Sequence, residues 1–280
     1  MEHSIRMVGL ALDGTVFTNA KQITEHTKEV LTRAIEKGVI VLPATGRPAC
    51  GVPQDFLDIP GVRYALTSNG ARVVDVKNGE TVYEESIPWD LALKILAFIE
   101  NWEHSAWEIY FDGKVYVEEG VYHFLEHPEM SQGYKEYMYR SRVFVPNLRK
   151  QIGDTKQRLE KIHIVFDDTP YRDEKFKEIY EAFPELNHCC STIFDIDVNM
   201  PKAEKGTALL ELGKILGISR EEIMACGDAK NDWDMLKKAG FPVAMANADE
   251  ETKKLAKFIT RSNEEDGVAW AVEKFVLKES

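Results

Sequence analysis

The chain has 280 residues, enough for one large domain or two modest ones that each bury a core. Its 44% hydrophobic and 29% charged content is that of an ordinary globular protein, and a formal charge of -12 argues against a general nucleic-acid or anionic-membrane surface without excluding an anionic small molecule at a locally positive site. No run nears the ~18 apolar residues of a membrane span, no signal-peptide pattern opens the chain, and the four cysteines (Cys50, Cys189, Cys190, Cys226) show neither metal-ligand spacing nor a disulfide framework, so reduced thiols in a cytoplasmic protein are expected.

Residues 5–12 are apolar and strand-like and end at Asp13-Gly14-Thr15. Residues 24–37 place Val30, Leu31 and Ile35 near helical spacing, with Gly38 as terminator. A β-rich run at 39–42 ends at Ala44-Thr45-Gly46-Arg47-Pro48, and 64–67 run into Ser68-Asn69-Gly70. This strand–helix–strand alternation predicts a parallel sheet with crossover helices. The rhythm then changes. Residues 72–76 and 81–85 flank Asn78-Gly79, a hairpin signal. Pro88 opens a helix through about 103, with Leu91, Ile95, Leu96, Ile99 and Trp102 as its buried stripe. Residues 107–111 and 114–118 flank Asp112-Gly113, a second hairpin; 161–166 read as a strand, 173–183 as a helix and 191–199 as a strand. The α/β rhythm returns with a helix at 204–216 ended by Gly217, and a buried strand at 223–226 leading into Gly227-Asp228. A helix at 231–239, a strand at 242–245 and helices near 250–257 and 265–275 follow. The predicted fold class is α/β: a Rossmann-like parallel-sheet core (1–85 plus 199–280) with an inserted α+β cap domain (86–198).

Ligands of open parallel sheets bind beyond the carboxyl ends of the strands. Asp13 follows the first strand, Thr45-Gly46-Arg47 the second and Asp228 the strand at 223–226, while Lys205 begins the helix just before that strand. Phosphoryl transfer needs such groups: a lysine and hydroxyl or amide donors for the phosphoryl oxygens, and carboxylates for Mg²⁺. It also needs a proton donor for the leaving oxygen and, on a covalent route, a carboxylate nucleophile. Taken singly, Asp13-Gly14 reads as a turn, Thr45 as a helix cap, Lys205 as a solvated residue, and Asp228 and Asp232 as acids at a helix start. Their shared placement at one sheet edge is what points to a site. Trp89 and Trp102, His163 and the Cys189-Cys190 pair read as packing or satisfied structure. Tyr134, Tyr137 and Tyr139 make part of the middle block aromatic.

Ala11-Leu12-Asp13-Gly14-Thr15, directly after an apolar run, resembles the first motif of the haloacid dehalogenase superfamily of phosphoryl-transfer enzymes, Asp-x-Asp-Gly-Thr. The family's first Asp is the nucleophile that becomes phosphorylated; this chain has Ala11 there. Residue by residue, the resemblance makes Asp13 the general acid/base, its backbone carbonyl also on Mg²⁺. Thr45 becomes the phosphate-binding hydroxyl, Lys205 in Glu204-Lys205-Gly206 the lysine that screens nucleophile and phosphate, and Asp228 and Asp232 the acidic pair that holds Mg²⁺. Asn231 falls near the phosphate. The insertion and the Thr-Gly-Arg and Ser-Asn-Gly sequences resemble the Cof-type, large-cap (class IIB) branch, which makes Gly46, Arg47, Ser68, Asn69 and Gly70 candidates to touch phosphate or substrate. The implied activity is Mg²⁺-dependent hydrolysis of small phosphorylated metabolites, often sugar phosphates, through an aspartyl-phosphate. Neither a nucleic-acid nor a membrane partner is expected, and the sequence carries no signal for oligomeric state. With Ala11 the expected state is impaired or substrate-trapping. An engineered substitution and a natural phosphometabolite-binding pseudoenzyme both fit that residue, and a phosphomutase is a third reading of the same scaffold.

Overall fold

The computed structural model describes residues 4–119, 136, 139–190 and 192–279, and the chain divides into two units. The first comprises Met1–Gly46, Val52–Glu84 and Glu204–Ser280; the second comprises Arg47–Gly51 and Glu85–Ala203.

In the first unit, β1 (Met7–Leu10) is followed by α1 (Glu25–Glu36), β2 (Ile40–Pro43), α2 (Gln54–Leu57), β3 (Tyr64–Thr67), β4 (Arg72–Asp75) and β5 (Thr81–Glu84). Thr24 starts α1 by accepting the Thr27 backbone N–H on its side chain. β1 lies inside a parallel sheet of order β14-β13-β12-β1-β2, with β12 spanning Ile223–Gly227, β13 Phe241–Ala244 and β14 Phe258–Ile259. The two faces of β1 alternate. Val8 and Leu10 join a cluster with Val30, Leu31 and Val268, whereas Met7 packs with Leu42, Leu209 and Leu212. A strand buried on both sides is what a continuous apolar run predicts in a parallel sheet. β3 departs from the expectation of a third parallel strand. It pairs antiparallel with β4 in a separate sheet, β3-β4-β5, and joins β2 only through the parallel bridge Ala44–Leu66.

The second unit holds a six-stranded sheet of order β10-β11-β9-β6-β7-β8. Its elements in chain order are α3 (Trp89–Ile99), β6 (Ser105–Phe111), β7 (Lys114–Glu118), β8 (Arg142–Val145), α4 (Leu148–Thr155), β9 (Lys161–Phe166), α5 (Thr169–Ala182), β10 (Asn187–Cys189) and β11 (Asp195–Asn199). One face is apolar: Ile109, Ile162, Ile164, Phe166, Ile196 and Val198 pack with Ile95, Leu96 and Ile99 of α3, Leu148 and Ile152 of α4, and Ile179 of α5. The alternate positions carry Glu108, Tyr110, Lys161, His163, Asp195, Asp197 and Asn199, all buried. α3 stops at Ile99 rather than at about 103; its innermost residues are Ala92, Ile95, Leu96 and Ile99, while Leu91 and, past the helix end, Trp102 are half-buried. Of the strand expected at 191–199, the part at 195–199 is β11, and β10 precedes the expected span; Ser191 lies outside the described residues, as do Tyr134 and Tyr137.

Back in the first unit, α6 (Lys205–Leu216) ends at Gly217 in a left-handed conformation. α7 (Trp233–Lys238), α8 (Glu250–Lys253) and α9 (Gly267–Val272) complete it. The helix expected at 231–239 opens instead with a 3₁₀ turn, Lys230–Asp232, because the Asp232 side chain folds back onto the preceding backbone. No helix among the described residues is long and apolar enough to cross a membrane.

Candidate active site

The site forms where the parallel strands of the first unit stop. Ala11 follows β1, and its backbone N–H donates to the carbonyl of Cys226 at the end of β12 (3.0 Å). The Ala11 methyl is 3% exposed and packs among Met7, Leu42, Ala44 and Ala225. Two residues on, Asp13 has left the strand. Its side chain is 47% exposed, and Oδ1 accepts from Lys21 Nζ at 2.7 Å. The strand expected at 5–12 is shorter: β1 ends at Leu10 and the chain turns, so Ala11 and Asp13 do not share a strand face.

Gly14 allows the next contact. Its φ is +72°, and a Cβ there would lie 2.2 Å from Asp228 Oδ2. Thr15 is buried, and its hydroxyl donates to Asp228 Oδ1 at 2.7 Å. Asp228 is thus clasped by the turn that follows β1. Burial pushes its carboxyl pKa up to about 6. Donation by Thr15 and the charge of Lys205 oppose the rise, whereas Asp232 and Asp13 add to it.

Asp232 is 1% exposed and fully engaged. Oδ1 accepts from Lys205 Nζ at 2.7 Å, and Oδ2 accepts the backbone N–H groups of Asp228 (3.1 Å) and Ala229 (3.2 Å). Lys205, 5% exposed, is thereby fixed at the first turn of α6.

The remaining edge is drawn in by close backbone approach. Thr45, buried, receives Asn69 N–H on its carbonyl (3.1 Å) and donates its own N–H to Leu66 (3.0 Å). A Cβ on Gly46 would meet Asn69 Oδ1 at 2.5 Å, and one on Gly70 (φ +99°) would meet the Glu204 carbonyl oxygen at 2.4 Å. The Ser68-Asn69-Gly70 turn, with φ values of 51°, 62° and 99°, therefore lies between Thr45-Gly46 and the residue preceding Lys205. Lys205, Asp232, Asp228 and Thr15 are thus linked by hydrogen bonds, and the Thr45-Gly46 and Ser68-Asn69-Gly70 segments approach one another and Glu204, all in the unit that also holds Asp13. Asn231 is exposed on the 3₁₀ turn, and Arg47, half-buried, falls in the second unit.

Three contributors went unmarked in the sequence. Lys21 reaches Asp13. Asn247 donates its side-chain amide to the Gly14 carbonyl (2.8 Å) and accepts the Asn263 backbone N–H (3.0 Å). Asn263 donates to the Phe17 carbonyl (2.9 Å) and to Asn19 Oδ1 (3.2 Å). Asn247 lies just past β13, so the strand-end rule that selected Asp13 and Asp228 could have found it.

The family model for haloacid dehalogenase-like hydrolases matches residues 9–272. The chain belongs to that family. Among curated relatives, a Streptococcus pyogenes serotype M6 protein is 30% identical over 98% of this chain and 99% of its own. The phosphatase YwpJ of Bacillus subtilis is 27% identical over 95% and 98%. Of solved structures, a haloacid dehalogenase-like hydrolase from Bacteroides thetaiotaomicron superposes with a TM-score of 0.82 at 25% identity, covering 96% of this chain and 99% of that one. A subclass IIB sugar phosphatase shares the fold, with a TM-score of 0.78 at 23% identity over 96% and 98%. The α/β core with an added antiparallel-sheet unit is the architecture of these haloacid dehalogenase-like neighbours.

Proposed function

We propose that this haloacid dehalogenase-like chain is a Mg²⁺-dependent phosphomonoester hydrolase scaffold for small phosphorylated metabolites, sugar phosphates foremost, disabled at its nucleophile. The observation that carries the reading is the web linking Lys205, Asp232, Asp228 and Thr15 at the strand ends, beside a methyl group at residue 11.

The donor set bears on the metal. Among the described residues no group of three or more His, Cys, Asp or Glu is placed to hold an ion. Asp232 has both oxygens engaged, which leaves Asp228 as the carboxylate on offer. Its raised pKa marks a buried acid short of positive charge, and its approach to the Gly14 turn fits one hard cation held by Asp228 and the Asp13 carbonyl, with Asp232 behind. Such an ion supplies charge neutralisation to a phosphoryl group. One carboxylate fewer at residue 11 makes weak binding the expected outcome.

Lys205 and the Thr45 hydroxyl would bind phosphoryl oxygens. Asp13 would hold the proton destined for the leaving oxygen, and would later take one from the water that cleaves an aspartyl-phosphate. Neither step starts here, because a methyl group has no lone pair to form the bond to phosphorus. Loss of a negative charge at residue 11 favours retention of the phosphate ester instead. The second unit would select substrates and exclude water, as lids do. A screen of metabolite phosphates with A11D, with and without Mg²⁺, tests the reading. Magnesium-dependent phosphate release by A11D is expected; a folded but inert A11D counts against it.

A further inference from the structure

We propose that Asp234 is a positioning residue for Lys205: from α7 it caps the N-terminus of α6 and so fixes the lysine ammonium within the site. The inference rests on the phosphate-binding reading above and adds to it the residue that sets the lysine's place.

The first turn of a helix leaves backbone N–H groups without intrahelical partners. On α6 the N-cap residue is Glu204, whose side chain makes no capping bond. The cap comes from another element. Asp234 Oδ2 accepts the backbone N–H of Gly206 at 2.8 Å and that of Thr207 at 3.3 Å. A carboxylate there also faces the positive end of the helix dipole. Lys238, one turn further along α7, closes the arrangement. Its Nζ lies 2.7 Å from Asp234 Oδ1 and 2.5 Å from Glu204 Oε2, and it donates to the Thr207 hydroxyl at 2.6 Å.

Gly206 makes the approach possible. A Cβ there would lie 2.6 Å from the Asp234 carbonyl oxygen and 2.7 Å from its Oδ2. The two segments therefore meet twice within three residues. Lys205 donates to Asp232, and Asp234 accepts from the two residues after Lys205. Two contacts of opposite polarity on consecutive residues fix both the translation and the rotation of the α6 terminus. Without the second contact, the α6 terminus keeps the Lys205–Asp232 pair and the side-chain contacts of Lys238, but loses the acceptor of its first backbone N–H groups.

The test uses the full chain and two readouts. The first is the Lys205 side-chain ammonium resonance by ¹⁵N NMR, which needs no ligand. The second is orthophosphate affinity by calorimetry. D234A is expected to abolish the slowly exchanging Lys205 signal and to weaken orthophosphate binding roughly 10-fold, the scale seen when an outer partner of a site is removed. D234N keeps an acceptor oxygen and should lose less. G206A, whose Cβ would crowd the Asp234 carbonyl oxygen and Oδ2 without removing either group, should reproduce the D234A spectrum. In a K205A background, D234A should change orthophosphate affinity less than about 2-fold, since residues acting through one another are not additive. A lowered melting midpoint with the Lys205 signal and phosphate affinity intact would overturn the proposal, leaving Asp234 as a helix cap alone. Absence of orthophosphate binding by the unsubstituted chain would instead count against the functional reading, and the Lys205 resonance would still decide this one.

Discussion

The two units bury charge in opposite ways. In the first, the charged groups of the candidate site stand beyond the strand ends, on turns whose backbone supplies half of their partners: Asp232 takes one lysine and two N–H groups, and Asp228 takes one hydroxyl. In the second, they stand on the strands themselves and pair with one another across the sheet. Arg142 on β8 donates twice to Glu108 on β6, at 2.9 and 2.6 Å, over the intervening β7. His163 lies 2.7 Å from Asp197, and Lys161 lies 3.0 Å from the same carboxylate. The comparison teaches where burial serves a ligand and where it serves the fold. Paired charges on a rigid sheet satisfy one another, whereas charges on turns hold an acid whose pKa remains raised to about 6.

Removing one partner from each unit breaks the comparison most sharply. R142A strands Glu108 in a site where the pair is 1% and 3% exposed, and should cost about 3–5 kcal/mol by denaturant unfolding while leaving orthophosphate affinity unchanged. K205A removes the cation from a pair 5% and 2% exposed; a similar stability loss of about 3–5 kcal/mol should come with orthophosphate binding that is weakened well beyond the D234A effect but still measurable. Equal phosphate affinities in the two variants would erase the distinction between the units.

N263A is a smaller perturbation. It leaves the Phe17 carbonyl without its amide donor and frees the loop after Asp13, at about 1–3 kcal/mol for an unsatisfied buried acceptor. Hydrogen exchange should quicken at residues 14–19, and unchanged protection there would refute the clamp.

The smallest effect is in pH. Burial lowers the His163 pKa, but the charge of Asp197 and its hydrogen bond outweigh that, so it is raised overall above 6.5; Lys161 opposes and Glu108 assists. A raised pKa means that the folded state holds the proton more tightly. The stabilisation is complete below pH 6.5 and is lost as pH climbs through the raised value. The melting midpoint should decline over that climb, and H163Q should flatten the decline.

How much of this was legible depends on what each residue shows locally. β3 and β7 could be bounded from sequence because turns punctuate them: Ser68-Asn69-Gly70 after Thr67, and Asp112-Gly113, both at positive φ, before Lys114. β8 and α4 were not read. Arg142 looks like a solvent-facing residue, and Gly153 sits inside α4. The charged face of the second unit was hidden for a related reason. Alternation along β6, β9 and β11 signals one polar face, but whether water or protein covers it is a tertiary fact. At the site, motif residues next to strands could be found by position. Lys21, Asp234 and Asn263 could not, because polar side chains at turns and helix surfaces look alike until their partners are known.

On the proposed function, this chain holds a phosphate ester and does not cleave it. Phosphorus NMR of the unsubstituted protein with a sugar phosphate and Mg²⁺ tests it most directly. A shifted or broadened bound ester and no inorganic phosphate are expected. Steady release of inorganic phosphate at the rate of A11D, or an ester resonance indistinguishable from that in protein-free buffer, would contradict it.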